Sequence, residues 1–87
     1  MYYAYILRSK NFPAQTYTGS TSDLRKRLAE HNAGKSIHTN KFKPWDLIAY
    51  IAVPEKHLAE ELESYLKSGS GRAFAKRHIL TQNWRKS

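Results

Sequence analysis

Residues 2–8 read YYAYILR and residues 16–20 read TYTGS, and these two stretches decide the fold. Both are rich in aromatic and β-branched side chains, and the first alternates in the manner of a strand. Residues 10–15, KNFPAQ, form a turn between them, because Pro13 cannot donate to a strand ladder and Asn11 favours turns. The two stretches are therefore predicted to pair as a β-hairpin.

A basic helix is predicted directly after the hairpin. Residues 23–32, DLRKRLAEHN, place Leu24 and Leu28 on one stripe that can pack against a sheet. Thr21 or Ser22 can cap its first turn, because their hydroxyls accept from free helix N–H groups.

The second half of the chain is predicted to add one strand and two helices. Residues 45–53, WDLIAYIAV, are apolar on both faces, which predicts a strand covered from both sides. Residues 55–68 form a helix that ends at Gly69, with a buried stripe made of Leu58, Leu62, Tyr65 and Leu66. Ser70 caps a last short helix that runs to about residue 80, and residues 81–87 follow as a tail.

The composition describes one small basic domain of residues 1–80 and its tail. The chain has 87 residues and no cysteine, so no disulfide or cysteine-rich zinc site holds it together. Its formal net charge is +8, with eight Lys/Arg against two acids in residues 1–44 and seven against five in residues 45–87. This balance favours a polyanionic partner such as nucleic acid. The apolar N-terminal stretch is too short for a signal peptide or membrane span, so a cytoplasmic protein is expected.

Tyr5 and Tyr17 are the first candidates for chemistry. A tyrosine in a strand is ordinarily a packing residue with its hydroxyl at the rim. The hairpin changes that expectation, because neighbouring strands lie about 5 Å apart and side chains from both converge on one face. Gly19 falls on the same side as Tyr17, where the missing side chain leaves room for a ligand.

Arg27, His31 and Glu63 are the other candidates. Arg27 and His31 lie one helical turn apart, and a guanidinium beside a buried stripe suits a phosphate. Glu63 lies at the edge of the buried face of the second helix, where it can hold Mg²⁺ together with waters and substrate oxygens. Taken alone, Arg27 is equally well a surface residue, His31 is more often a helix-end histidine, and Glu63 is more often solvated.

Together these segments resemble the GIY-YIG nuclease domain of the excision-repair C subunit and of intron homing endonucleases. Residues 3–5, Tyr-Ala-Tyr, stand where that family has Gly-Ile-Tyr, and residues 17–19, Tyr-Thr-Gly, stand where it has Tyr-Ile-Gly. The family's helix arginine, its frequent histidine one turn later and its metal-binding glutamate match Arg27, His31 and Glu63. The likeness spans about residues 2–80, and its specificity lies in the combination of the motifs.

The resemblance implies an α/β (α+β) fold with a three-stranded antiparallel sheet. Its first strand is central, and helices flank it in the order β-β-α-β-α-α. The helical crossover between the second and third strands agrees, because it lets the first strand lie between them.

The resemblance also implies a metal-dependent phosphodiesterase, a DNA endonuclease, with a role for each candidate. Glu63 would hold Mg²⁺ or Mn²⁺, and Arg27 would neutralise the charge that builds on the phosphorane. Tyr17 would sit beside the attacking water as its general base or orienter, although an ordinary phenol titrates near pH 10. His31 is the rival base, and Tyr5 would orient the water or Tyr17.

The candidate residues are expected to line one concave surface of the protein. Tyr5, Tyr17, Arg27 and Glu63 would converge on that surface. Its nucleic-acid-binding rim is predicted to be Gly19, Lys26, Lys35, Lys41, Lys43, Arg72 and Lys76.

Two interpretations of a different class stay open. One is a module that binds nucleic acid without cutting it, or that needs a protein partner for specificity. The other is a small RNA-binding α/β domain whose tyrosines stack on bases, which predicts exposed aromatic rings on a sheet face. Tyr17, Arg27 and Glu63 favour the nuclease, since binding alone does not require an acid. The choice between DNA and RNA stays open as well.

Overall fold

The computed structural model describes residues 1–80, with the elements in the predicted order. They are β1 (Tyr2–Ser9), β2 (Thr16–Thr21), α1 (Leu24–Asn32), a 3₁₀ turn (Asn40–Phe42), β3 (Trp45–Val53), α2 (Lys56–Lys67) and α3 (Gly69–His78). The predicted tail, residues 81–87, lies outside the described residues. Within residues 1–80, no helix combines the length and the apolar character needed to cross a bilayer.

The three strands form one antiparallel sheet in the order β2-β1-β3. This confirms the predicted α+β fold with its first strand in the centre. Tyr5 of β1 lies opposite Gly19 of β2 and opposite Tyr50 of β3. β2, which carries Tyr17, is therefore an outer strand of the sheet.

The central strand β1 separates two hydrophobic layers. Ala4 and Ile6 pack on one face against α2 and α3. Tyr5 and Leu7 pack on the other face with Trp45 and the leucines of α1. All five residues are at most 3% exposed, and each large apolar side chain buried this completely stabilises the fold by about 1.5–3 kcal/mol. The alternation of β1 therefore places α1 on one side of the sheet and α2 on the other.

The prediction that β3 is covered from both sides is wrong. Tyr50 is 55% exposed and Ile51 is 42% exposed. β3 is an outer strand, and it is β1 that is covered on both faces. Tyr50 packs edge-on against Tyr3, with ring centroids 5.8 Å apart. Tyr5 is only 2% exposed, so that tyrosine cannot stack on a base in the way the RNA-binding interpretation requires.

Helix α1 begins one residue later than predicted and has a different cap. Asp23 is the capping residue, and its carboxylate accepts from the Lys26 N–H at 3.1 Å. Thr21 is still the last residue of β2, so it cannot serve as the cap. Its hydroxyl instead accepts from the Asp23 N–H at 3.1 Å and so supports the turn into the helix.

The junction between α2 and α3 also differs from the prediction. Ser68, not Ser70, caps α3, so Gly69 opens α3 instead of ending α2. A Cβ at Gly71 would meet the Tyr65 carbonyl oxygen, which shows how closely the two helices approach. Tyr65, predicted to be buried, is 46% exposed, and Ala59 is buried on α2 in its place.

Candidate active site

Tyr5 and Tyr17 meet on the sheet face that α1 covers. The strand register places Tyr5 opposite Gly19, and Tyr17 lies two residues before Gly19 on the same face. The two rings are tilted by 41°, with centroids 6.4 Å apart. Tyr5 is buried and Tyr17 is half-buried, so Tyr17 is the phenol that solvent reaches.

Gly19 makes room for Tyr5. A Cβ at this position would lie 2.6 Å from Oη of Tyr5 and 3.0 Å from Cε2 of Tyr17. The prediction that the missing side chain leaves room for a ligand is therefore corrected, because the Tyr5 phenol fills that space. Because Gly19 has no side chain, the Tyr5 ring of β1 can lie over β2 where the two strands pair.

We expect Gly19→Ala to destabilise the fold by about 1–3 kcal/mol, the usual cost of overpacking. The added methyl group meets a buried ring that has little freedom to move. Urea denaturation measures the change in the free energy of unfolding. Gly69→Ala is the matched control, because a Cβ there meets nothing within 4 Å and its effect should be close to zero. Equal effects of the two substitutions would contradict the close packing at Gly19.

His31 is held inside the protein by two hydroxyl groups. Its Nε2 lies 2.9 Å from Oη of Tyr5, and its Nδ1 lies 2.7 Å from Oγ1 of Thr39. His31 and Thr39 are both 0% exposed. The Trp45 indole N–H donates to the Thr39 carbonyl at 2.9 Å and so fixes the loop in place. His31 therefore contacts the site through the Tyr5 hydroxyl and through the Tyr17 ring, whose centroid lies 5.0 Å from its own, and it has no direct contact with solvent.

Thr39 is a site residue that sequence reasoning missed. It lies in residues 35–43, a polar stretch that lacks the periodicity of a helix or a strand. No local signal marks it, because its contact depends on how the loop folds back over His31. The 3₁₀ turn that begins at Asn40 belongs to this fold-back.

Two tautomers of neutral His31 satisfy both of its contacts. If Nδ1 carries the proton, it donates to Thr39, and the Tyr5 hydroxyl donates to Nε2. If Nε2 carries the proton, Thr39 donates to Nδ1 and Nε2 donates to the Tyr5 oxygen. The second tautomer leaves the Tyr5 hydroxyl proton available to a ligand.

Arg27 faces the Tyr5 phenol from α1. Its Nη1 donates to Oε1 of Glu30 at 3.1 Å. Interaction with Tyr5 raises the pKa of Arg27, burial opposes this, and Glu30 adds to it. Burial raises the pKa of Tyr5, Arg27 partly offsets the rise, and the ionised forms of Tyr17 and Glu63 raise it further. At neutral pH the site therefore contains a charged guanidinium beside a protonated phenol.

The pH dependence of stability should report on His31. Burial lowers the pKa of His31, the Arg27 charge lowers it further, and Glu30 opposes them. An unfolded histidine titrates near pH 6.5, so the unfolded chain binds a proton that the folded chain resists. The free energy of unfolding should therefore fall as the pH drops from about 7.5 to about 5.

His31→Gln should flatten this slope, which urea denaturation across the same pH range can measure. His57→Gln is the control, because it replaces an exposed histidine. A wild-type slope in the His31→Gln variant would contradict the assignment of this proton uptake to His31.

Both carboxylate oxygens of Glu63 accept hydrogen bonds. Ser20 Oγ donates to Oε1 at 2.6 Å, and Lys67 Nζ donates to Oε2 at 2.7 Å. Partial burial acts to raise the pKa of Glu63, but the hydrogen bonds from Lys67 and Ser20 and the Lys67 charge bring it below its ordinary value. The Glu63 side chain is 24% exposed, and its carboxylate is therefore ionised at neutral pH.

Glu63 does not share the sheet face of Tyr5 and Tyr17. Helix α2 packs on the opposite face, and Ser20, the residue after Gly19, points toward it. Helix α2 therefore brings Glu63 to β2 from the layer opposite α1, because the two helices cover opposite faces of a sheet only three strands wide. The single concave surface stays a prediction for Glu63.

The two faces meet at β2, because it is an outer strand. Tyr17 lies on one face of this strand, and Ser20, which donates to Glu63, points to the other. The Glu63 charge contributes to the raised pKa of Tyr5, as the smallest of its causes. β2 therefore carries the Tyr17 phenol and, through Ser20, holds the Glu63 carboxylate.

The basic residues predicted to rim the site fall into two sets. All six are exposed, and the sheet separates the sets. The α1 layer and the loop after it carry Lys26, Lys35, Lys41 and Lys43, whereas α3 on the other layer carries Arg72 and Lys76.

Residues 1–77 match the GIY-YIG catalytic domain. The chain belongs to the GIY-YIG family. It is also similar to the UPF0213 proteins of Streptococcus pyogenes serotype M5 (strain Manfredo) and serotype M28 (strain MGAS6180). Each is 35% identical over 80 residues, which cover 91% of this chain and 85% of the relative. The matched region includes every candidate catalytic and metal-binding residue.

The two GIY-YIG motif segments of this chain pair directly with each other. Tyr5, the last residue of the first motif, lies opposite Gly19, the last residue of the second. The first motif departs from Gly-Ile-Tyr at Tyr3 and Ala4. Ala4 is 1% exposed in the core, and Tyr3 packs against Tyr50.

Proposed function

We propose that this GIY-YIG domain is a metal-dependent phosphodiesterase of nucleic acids, and specifically a DNA endonuclease. The observation that carries the proposal is the Arg27 guanidinium beside the Tyr5 phenol, with Tyr17 on the same sheet face and Glu63 hydrogen-bonded to Ser20 of the same strand as Tyr17. The net charge of +8 supports a polyanionic substrate. DNA repair is the setting suggested by the resemblance to the excision-repair C subunit.

Arg27 stabilises the charge that develops on the phosphoryl oxygens in this proposal. Glu30 holds one side of the guanidinium at 3.1 Å, which leaves further N–H donors for a phosphate. The side chain is 36% exposed, so a substrate can reach it and displace water from it. Fixed donors of this kind stabilise a transition state without reorganising during the reaction.

Tyr17 acts at the attacking water, because it is the phenol in the cluster that solvent reaches. Tyr5 orients Tyr17 or that water through its hydroxyl, which His31 holds at 2.9 Å. His31 is a positioning residue in this scheme, since it is fully buried and both of its nitrogens have hydroxyl partners.

Glu63 is the residue that would hold Mg²⁺ or Mn²⁺. An ionised carboxylate has about four lone-pair positions, and Ser20 and Lys67 occupy two of them. Residues 1–80 contain no cluster of three His, Cys, Asp or Glu side chains, so the other ligands would be water and substrate oxygens. That donor set is usual for Mg²⁺. When bound, the ion supplies Lewis-acid stabilisation of the phosphoryl and leaving oxygens.

We expect Tyr17→Phe to lower the single-turnover rate of cleavage by at least about 100-fold, the low end of a general-base contribution. The substitution removes only the hydroxyl and keeps the packing ring. Tyr50→Phe is the control at an exposed tyrosine, and His31→Gln should lose less than Tyr17→Phe. A normal rate for Tyr17→Phe with an inactive His31→Gln would move the base to His31, acting through Tyr5.

The alternative is a module that binds nucleic acid without cutting it, or that cuts only with a protein partner supplying specificity. The ion pair between Lys67 and Glu63 favours this alternative, because the ammonium group compensates the carboxylate without a metal ion. The ionised Glu63 carboxylate argues against this alternative, because a surface that only binds a polyanion gains nothing from a negative charge.

The proposal is tested by incubating the full chain with end-labelled nucleic acids in Mg²⁺ or Mn²⁺, with EDTA as the control. The panel contains intact, nicked and branched duplex DNA, single-stranded DNA and RNA. We expect at least one DNA to be cut in the presence of metal and to stay intact in EDTA. Folded protein that binds DNA and cuts none of these substrates would refute the nuclease and support the binding module.

A further inference from the structure

A basic groove lies on the sheet face opposite Tyr5, between the β1–β2 hairpin and α3. Its volume is about 1510 Å³. Five cationic side chains and a single acid, Asp46, line it. The cations are Arg8, Lys10, Lys67, Arg72 and Lys76. A concave surface dominated by one sign of charge concentrates ligands of the opposite sign.

Two of the five cations already have carboxylate partners. Lys10 lies 3.5 Å from Asp46, and Lys67 lies 2.7 Å from Glu63. The single acid of the groove is therefore paired by Lys10. The remaining positive charge of the groove belongs to the other three side chains.

Arg8, Arg72 and Lys76 form no ion pair within residues 1–80. Arg8 is half-buried on β1, and its Nη2 donates to the Leu80 carbonyl at 2.7 Å, which fixes its charge on the sheet side of the groove. Arg72 and Lys76 are exposed one turn apart on α3, so they project from one face of that helix. The groove thus has positive charge on two walls.

The groove begins beside the candidate active site. Tyr17 of β2 lines it. Lys67 of α2, which donates to Glu63, lines it as well. A nucleic-acid strand with one phosphate at the β2 edge can therefore continue into the groove without leaving the protein surface.

We propose that this groove binds the sugar–phosphate backbone of a single nucleic-acid strand leading away from the phosphate at the β2 edge. Tyr17 is the only aromatic residue among the described lining residues, so bases find little stacking surface and the contacts fall on the backbone. Only a strand that enters the groove can approach half-buried Arg8. The inference rests on the proposed function for the position of the cut, but its test measures binding alone.

The substrate class that fits is a nucleic acid with a single-stranded arm, such as a flap or a splayed end. An uninterrupted duplex can engage the exposed lysines of the α1 layer. It has no free strand to place between the hairpin and α3.

The test is fluorescence anisotropy of the full chain in EDTA, so that no cleavage occurs. The probes are a fluorescein-labelled DNA duplex with an oligothymidine arm and the same duplex with blunt ends. Arg72→Gln/Lys76→Gln removes two charges from the groove. Arg77→Gln/Lys56→Gln is the matched control, because it removes one Arg and one Lys at exposed positions outside the groove.

Each lost contact to a single strand should cost about 0.7 log units of affinity at about 0.1 M salt. The groove variant is therefore expected to bind the armed duplex about 25-fold more weakly, with a salt slope lower by about 1.4. The control variant should lose less than about 3-fold, and the blunt duplex should be affected equally by both variants. As a check that needs no variant, the wild type should show a steeper salt dependence with the armed duplex than with the blunt one.

Two results would refute the proposed strand binding in the groove and leave the nuclease proposal unaffected. One is an equal loss of affinity in the two double variants, and the other is equal affinity of the wild type for the armed and the blunt duplex. The groove residues could cause a preference for the armed duplex while the protein cuts no DNA in the presence of metal. That result would support the proposed strand binding in the groove and refute only the nuclease. A wild-type protein that binds neither probe would refute both.

Discussion

Glu63→Gln is expected to lower metal-dependent cleavage by at least about 100-fold and to leave the fold intact. Glutamine keeps an oxygen that can accept from Ser20, but it lacks the negative charge that a hard cation requires. The lost ion pair with Lys67 costs little, because that lysine is 49% exposed and pairs of this kind contribute about 0–1 kcal/mol. The measurement is the single-turnover rate in Mg²⁺ and Mn²⁺, with circular dichroism and urea denaturation for the fold.

The matched control for this substitution is Glu61→Gln. Glu61 is an exposed acid on the same helix, so the change in charge and the change in side-chain chemistry are identical. Its cleavage rate should stay within about 2-fold of the wild type, since exposed substitutions away from special features have small effects. Cleavage by Glu63→Gln at the wild-type rate would place the metal elsewhere.

Arg27→Gln is expected to lower the rate of cleavage by about 100- to 1000-fold, the loss seen when one fixed transition-state donor is removed. Binding should weaken far less, because only one phosphate contact is lost. The matched control is Arg25→Gln, an exposed arginine on the same helix. A loss of affinity as large as the loss of rate would mean that Arg27 binds the ground state and the transition state equally.

The same substitution has a readout that does not depend on activity. The Arg27 charge lowers the pKa of His31 and partly lowers that of Tyr5. Arg27→Gln should therefore raise both pKa values, and NMR titration of the His31 ring measures the first. An unchanged His31 titration would contradict the geometry that places Arg27 against the Tyr5 and His31 pair.

The hairpin was predictable because a local pattern determines it, whereas the central place of β1 was implied by the family resemblance, with which the helical crossover agrees. The alternation around Tyr5, the turn at Pro13 and the helical crossover after β2 all favour the same topology. The helix period places Arg27 one turn before His31, and that relation survives any packing of α1 against the sheet.

Three features were not predictable because they depend on how separate elements pack. The helix period places Glu63 at the edge of a buried stripe, but it does not say which sheet face α2 covers. The apolar sequence of β3 does not indicate that this strand lies at the edge of the sheet, where Tyr50 is exposed. Thr39 reaches His31 only because its loop folds back.

We propose that Glu63 acts from one face of β2 on the same phosphate that Tyr17 and Arg27 approach from the other. The most direct test is Mn²⁺-induced broadening of backbone amide signals in ¹⁵N-labelled protein bound to an oligonucleotide with a non-cleavable linkage. We expect the strongest broadening to fall on Gly19, Ser20 and Glu63 and to disappear in Glu63→Gln. Strongest broadening at another acid, such as Asp46, or the same pattern in Glu63→Gln, would contradict it.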